Sequence, residues 1–185
     1  MCGRDRLRDA IGRFRMGAMN TLDYFQTMSR YNRWMNDKIY LVCAAIPDDV
    51  RRADKGAWFR SMHGTLNHLL LADRIWLGRF VHQPFSFVSL DQEIYSDFDE
   101  LRRERVRTDE ALQAWVNSLT EDALAQPLSM TDADGNVGTY PLWHLAMHVW
   151  NHQTHHRGQL TTLLEQSGFD SGVTDLRRLP GAQLD

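Results

Sequence analysis

Apolar residues recur at steps of three and four along four long stretches of the chain, which is the spacing of an amphipathic helix. The four stretches cover residues 21–46, 61–80, 96–119 and 141–168. Ser61 is suited to the N-cap of the second helix, and Pro141 is suited to the first turn of the fourth. Long amphipathic helices bury their apolar faces against one another, so the sequence predicts an all-α four-helix bundle.

Three other patterns lie between the predicted helices. Residues 128–140 hold two short strand-like runs around Asp134 and Gly135, a strong turn signal, and therefore predict a short β-hairpin between the third and fourth helices. Residues 48–60 are expected to form a polar connection. Residues 81–95 are expected to form a loop that covers the end of the bundle, with a pocket-lining role as the alternative.

The third predicted helix is rich in charged residues. Acids and bases alternate between its apolar positions, which favours a solvent-exposed face with pairing between neighbouring turns. The residues of this expected exposed face are Asp99, Glu100, Arg102, Arg103, Glu104, Arg105 and Arg107. Because the bases are mixed with acids, a nucleic-acid surface is not expected.

Composition narrows the class of protein. With 185 residues, of which 43% are hydrophobic and 24% charged, the chain suits one globular domain. The net charge of −3 gives no general attraction to nucleic acid or anionic lipid, and no apolar run is long enough for a membrane span. Cys2 and Cys43 do not make a disulfide framework, which favours a reducing compartment and a cytoplasmic location. Residues 1–18 are predicted to be an N-terminal extension, and residues 19–185 the domain.

Five of the eight histidines fall within the fourth predicted helix. Winding this helix at about 100° per residue places His152 and His156 inside the apolar stripe, one turn apart. His148 falls on the margin of the stripe, and His144 and His155 fall on its flank. Two histidines spaced in this way are a familiar means of offering two nitrogens to a metal.

A third candidate ligand lies in the second predicted helix, where His68 falls on the apolar stripe and His63 on the opposite, solvated side. Each buried ring nitrogen without a partner costs about 1 to 3 kcal/mol, and one metal ion satisfies three of them together. Three nitrogen ligands leave positions open for water or substrate, as in catalytic metal sites. Zinc proteases have a glutamate directly after the first histidine of the pair, and Gln153 stands there instead, which excludes that function.

Three segments of the chain resemble one known family. They are residues 64–70 (GTLNHLL), residues 142–143 (LW) and residues 151–159 (NHQTHHRGQ). Over roughly residues 19–179 the sequence is similar to the DinB-like (damage-inducible) superfamily of metal-binding bundles, which also takes in the YfiT-like proteins. That superfamily is unrelated to the DNA polymerase that shares the DinB name.

The resemblance implies an up-down-down-up bundle that forms a homodimer. It also implies that His68, His152 and His156 bind a divalent metal, zinc or nickel. His148 and His155 match recurrent family positions with supporting or packing roles, and an exchange of ligands among these histidines stays open.

Several functions are compatible with such a site. Related families include thiol-dependent S-transferases and mycothiol-dependent isomerases, so the first hypothesis is a transferase that conjugates a low-molecular-weight thiol to an electrophile. The alternatives are a metal-dependent small-molecule hydrolase, a non-catalytic metal-binding stress-response protein, and a bundle whose histidines only form hydrogen bonds. No residue can be assigned as the general base.

Overall fold

The predicted long helices and hairpin are confirmed by the computed structural model, which describes residues 20–132 and 135–183. In chain order the elements are α1 (Thr21–Ala44), α2 (Asp48–Arg52), α3 (Met62–Phe80), α4 (Phe98–Asn117), α5 (Glu121–Ala125), β1 (Pro127–Thr131), β2 (Val137–Pro141), α6 (Leu142–Gln166) and a 3₁₀ turn (Leu176–Arg178). The four long helices are α1, α3, α4 and α6. The short helix α2 occupies the start of the segment predicted as a polar connection. The predicted N-terminal extension, residues 1–18, lies outside the described residues.

Cap residues fix where the long helices begin. The side chain of Ser61 accepts a hydrogen bond from the backbone N–H of Gly64 at 3.0 Å, which confirms Ser61 as the N-cap of α3. Asp97 caps α4 in the same way, and this helix therefore starts at Phe98, two residues later than predicted. Pro141 is the N-cap of α6, one position before the first turn in which it was expected.

The long helices run in the predicted up-down-down-up order. α3 and α6 are antiparallel neighbours, because His68 lies beside His152, whereas Trp76, further along α3, lies beside His148, which is earlier in α6. Ring contacts and ion pairs between the other helices show that α1 is antiparallel to α4 and that α3 is parallel to α4. A hydrogen bond and a shared apolar cluster show that α1 is parallel to α6. Strands β1 and β2 pair antiparallel and lead directly into α6.

The core consists of two apolar clusters with buried polar side chains between them. One cluster is built around Met35, Leu70 and Leu160, and the other around Phe25 and Trp150. Along α3, α4 and α6, buried polar residues separate the positions that belong to one cluster from those that belong to the other, and two buried asparagines of α1 face them. This polar layer consists of Asn32, Asn36, Asp73, Arg105, Asp109, Gln153 and Arg157.

Ion pairs and hydrogen bonds between helices hold the polar layer together. Arg105 of α4 lies 2.8 Å from the carboxylate of Asp73 in α3 and 2.9 Å from that of Asp109 one turn along α4. Asp109 also accepts a hydrogen bond from Asn36 of α1 at 3.0 Å. Arg105 is only 2% exposed, so its predicted place on the exposed face of the third helix is wrong. Its pairing at i, i+4 occurs as predicted, but inside the bundle.

None of the helices in residues 20–132 and 135–183 combines the length and the apolar composition that are needed to cross a bilayer.

Candidate metal centre

Three histidines from two helices meet between α3 and α6. His68 comes from α3, and His152 and His156 come from successive turns of α6. Nε2 of His68 lies 3.3 Å from Nε2 of His152. One ring nitrogen from each of the three histidines lies within 4.8 Å of the other two. The structure thus brings together the three residues that the sequence singled out, in a group that could hold a metal ion.

The backbone of the segment after α3 orients His68. Nδ1 of His68 lies 2.8 Å from the carbonyl oxygen of Leu90. Because a carbonyl oxygen can only accept, Nδ1 carries the proton and Nε2 keeps the lone pair that faces His152. The ring of Phe59 stacks on the imidazole of His68 with 3.8 Å between ring centres. A histidine held through one nitrogen by a backbone carbonyl is the usual arrangement of a metal ligand.

Residues 81–95 take part in the site as well as covering the bundle. Asn67 of α3 anchors the segment, since its side chain accepts from the N–H of Tyr95 at 2.9 Å and donates to the carbonyl oxygen of Tyr95 at 3.1 Å. Tyr95 packs against the core, as expected of a cover, but Phe87 and Leu90 line a cavity beside His68. The pocket-lining alternative therefore describes part of the segment.

Gln159 connects His156 to His155 on the outer side of α6. Nδ1 of His156 lies 2.8 Å from Oε1 of Gln159, and Nε2 of Gln159 lies 3.2 Å from Nε2 of His155. The amide oxygen accepts from His156, and the amide nitrogen donates to His155. His156 is therefore protonated on Nδ1 and presents Nε2 to the histidine group. His155 lies outside the group, in a supporting position.

Burial keeps the three rings neutral near pH 7. Loss of hydration lowers the pKa of His68 to about 4. Loss of hydration, together with the neighbouring imidazoles, lowers the pKa of His152 to about 3. The pKa of His156 is also lowered, first by burial. A neutral imidazole has an unprotonated nitrogen, which is the form that ligates a metal.

The environment of His63 differs from the one that the helical projection predicts. The projection predicts a solvated side chain, but His63 is fully buried. Its Nε2 lies 2.9 Å from the carbonyl oxygen of Tyr95 and 3.2 Å from Nη2 of Arg52. Residues 81–95 and α2 cover this side of α3, and a projection of one helix contains neither. His63 thus helps to hold the segment that orients His68.

Gln153, which stands where zinc proteases have their glutamate, has a structural role. It is fully buried in the polar layer. Its side-chain nitrogen donates to the carbonyl oxygen of Leu69 at 3.2 Å and to the carboxylate of Asp73. These bonds join α6 to α3 directly beside His152, so Gln153 fixes the distance between the helices that carry the histidines.

A cavity of about 630 Å³ opens beside His68 and His152 and extends between α3 and α6 towards the hairpin. Its volume lies within the usual range of small-molecule pockets. His148 stands on the cavity wall, with its ring 4.9 Å from that of Trp76 and 5.8 Å from that of His152. The histidine group therefore faces a space that can hold a substrate.

Two residues that contact the histidines, Gln159 and Phe59, are not predicted from the sequence, for different reasons. Gln159 follows His156 by three residues, a spacing that puts side chains on adjacent turns, so helical geometry could have assigned it. Phe59 belongs to the irregular segment before α3, and no periodic pattern connects it with His68.

Comparison with known proteins identifies the family. The model described as the DinB family matches residues 16–183 of the chain. A relative, Protein DinB of Bacillus subtilis (strain 168), is 24% identical over 159 residues, which cover 83% of this chain and 91% of that protein. The crystal structure of a DinB-like protein from Bacillus cereus ATCC 10987 aligns with a TM-score of 0.57 at 19% identity, over 76% of this chain and 90% of that one, and shows the same fold. Because the family match spans most of the sequence, the chain belongs to the DinB family.

Proposed function

We propose that this protein binds one divalent metal, zinc or nickel, through His68, His152 and His156, and uses it to join a low-molecular-weight thiol to an electrophile. The observation that carries the proposal is the convergence of three neutral imidazoles, two of which line one end of a small-molecule cavity. A bound divalent cation would lower the pKa of a thiol and so supply a thiolate nucleophile at neutral pH.

The donor set fits a metal of this class. Imidazole nitrogens suit zinc, nickel, copper and iron among the metals of proteins. Nδ1 of His68 is held by Leu90 and Nδ1 of His156 by Gln159, so each of these rings has Nε2 left for the ion. Three protein ligands leave a position for an exchangeable ligand, which is the pattern of catalytic sites.

The protein's own residues would position the two reactants. His68, His152 and His156 would hold the ion at the end of the cavity, where it would bind the thiol sulfur, and apolar side chains such as Trp76 and Leu145 would hold the electrophile and exclude water. In the transfer the sulfur forms a bond to the electrophilic carbon, and the leaving group departs with the bonding electron pair. The thiol proton is released to solvent when the thiolate forms. A separate general base is therefore not required for the bond-forming step.

A conjugation assay tests the proposal. Protein loaded with zinc or nickel is mixed with monobromobimane and, in turn, glutathione, coenzyme A, mycothiol and bacillithiol, and the fluorescent thioether is followed. We expect acceleration over the protein-free reaction with at least one thiol, and its loss in His68→Ala and His152→Ala. His82→Ala removes a histidine from an exposed position and is expected to behave as the parent. Metal-loaded protein that accelerates none of these reactions would contradict the proposal.

The other functions considered from the sequence predict different results. A non-catalytic stress-response protein would be stabilised by the ion without turning over a substrate. A small-molecule hydrolase would cleave its substrate without a thiol. Assays with and without thiol therefore separate the three functions. The homodimer and the cytoplasmic location remain predictions.

A further inference from the structure

Arg79 lies at the end of the cavity that is remote from His68 and His152. The cavity follows one face of α3, from His68 through Ala72 and Trp76 to Arg79. The helical rise between the first and the last of these residues is about 16 Å. The cavity thus has a histidine end, at His68 and His152, and an arginine end, separated by a mainly apolar wall on which His148 also stands.

The guanidinium of Arg79 is held in place by a carbonyl oxygen and an aromatic ring. Its Nη2 donates to the carbonyl oxygen of Thr131 in β1 at 3.1 Å, and its central carbon lies 4.6 Å from the ring centre of Trp76. Within residues 20–132 and 135–183, no carboxylate forms an ion pair with Arg79, and its pKa is lowered by burial. Asp132, which lines the same end, accepts hydrogen bonds from the backbone and side chain of Asn136 at 2.8 and 3.2 Å.

The remaining lining defines the kind of molecule that fits. The apolar part of the wall between the two ends is formed by Ile75, Trp76, Phe87, Leu90, Met130 and Leu145. At the arginine end the ring of Tyr140 stacks on that of His144 with 5.7 Å between centres. A mainly apolar channel that ends at a guanidinium, with no ion pair to it from any carboxylate of residues 20–132 and 135–183, favours a ligand with an apolar body and one terminal anion.

We propose that the electrophile accepted by this protein is amphipathic, with an apolar body and a terminal carboxylate, and that Arg79 selects it. The N–H groups of Arg79 that do not donate to Thr131 bind the carboxylate, and the contact with Trp76 holds the guanidinium in position before the ligand arrives. The apolar body lies along the wall, so the other end of the molecule reaches the histidines. The identity of the ligand as an electrophile rests on the proposed thiol transfer, whereas the preference for a carboxylate rests on the cavity alone.

Calorimetric titration of the zinc-loaded full chain tests the role of Arg79. The probes are octanoate and 1-octanol, which differ in the charged end, and 8-mercaptooctanoate and 8-mercaptooctanol, which add a thiol at the other end. We expect each acid to bind at least about tenfold more tightly than its alcohol, because a charge-assisted hydrogen bond is made only with the acid. Arg79→Met removes this preference, and Arg79→Lys keeps part of it. Arg103→Met, which removes an exposed arginine of α4, keeps the preference of the parent.

Equal affinities for acid and alcohol in the parent, no measurable binding of octanoate, or a preference that persists in Arg79→Met would overturn the inference. Unchanged binding of 8-mercaptooctanol to Arg79→Met shows that this variant is folded and that its histidine end is intact. The thiol probes report separately on the proposed function, which requires 8-mercaptooctanoate to bind more tightly than octanoate only when zinc is present. Loss of that gain with retention of the carboxylate preference would contradict thiol transfer and leave the role of Arg79 standing.

Discussion

At the scale of single residues, Gln159 is expected to orient a metal ligand without being a ligand itself. It accepts the hydrogen bond from Nδ1 of His156 but belongs to none of the groups that would touch the metal. We expect Gln159→Ala to weaken zinc binding by about tenfold or more, because the ring of His156 loses the partner that fixes its tautomer and direction. Competition with a chromophoric chelator measures the affinity. Gln166→Ala, an exposed glutamine in the last turn of α6, is the matched control. Equal affinities for the two variants would show that Gln159 has no orienting role.

Phe59 and Trp58 are adjacent aromatic residues with opposite environments. Phe59 is 8% exposed and stacks on His68, whereas Trp58 is 84% exposed. We expect Phe59→Ala to lower the free energy of unfolding by about 3 kcal/mol, because it opens a cavity beside His68. Trp58→Ala is expected to change it by less than about 0.5 kcal/mol. Urea unfolding of the metal-free proteins measures both, and a larger loss in Trp58→Ala would contradict the described packing.

At the scale of helices, the polar layer makes a prediction about how α3 and α4 pack. Arg105 faces two buried carboxylates, and its removal leaves both without their main cation. We expect Arg105→Met to lower the free energy of unfolding by about 3 to 5 kcal/mol. Arg103→Met, on the exposed side of the same helix, is the control and is expected to stay within about 0.5 kcal/mol of the parent. A loss in Arg105→Met as small as that in Arg103→Met would mean that Arg105 lies at the surface.

The same two helices show what local sequence can and cannot predict. Apolar residues recur at the helical period within α3 and within α4, because one side of each helix is buried. The spacing of these residues alone is therefore enough to predict both helices. Arg105 and His63 were misplaced because other elements bury them: α1 and α3 surround Arg105, while α2 and residues 81–95 cover His63. Nothing in the sequence predicts that the carbonyl oxygen of Leu90 lies beside His68, because every residue has a backbone carbonyl.

At the scale of the whole molecule, the metal-free protein is expected to lose stability in acid. Folded His68 and His152 stay neutral down to pKa values of about 4 and about 3, whereas an unfolded histidine takes up its proton near pH 6.5. Between these values the unfolded state binds more protons, so the free energy of unfolding falls as the pH falls below about 6.5. Asp73 acts in the opposite direction, because burial raises its pKa to about 6 and the folded state takes up that proton first.

Comparison of the parent with His152→Leu isolates the contribution of one histidine from that of Asp73. Urea unfolding of both metal-free proteins is measured at pH 7.5 and pH 5. We expect the parent to lose about 2 kcal/mol more than the variant over this interval. Equal losses in the two proteins would mean that His152 is hydrated and titrates normally in the folded state.

The histidine group is assembled by α3 and α6, which are far apart in the sequence and are joined by the hydrogen bonds of Gln153 to Leu69 and Asp73. The central claim is that this group binds one divalent metal. Its most direct test is the metal content of untagged protein purified without chelator and again after reconstitution with zinc or nickel, measured by inductively coupled plasma mass spectrometry. We expect close to one metal ion per chain in the parent and in His82→Ala, and loss of the ion in His68→Ala, His152→Ala and His156→Ala. A reconstituted parent without metal, or undiminished metal in all three variants, would contradict the account.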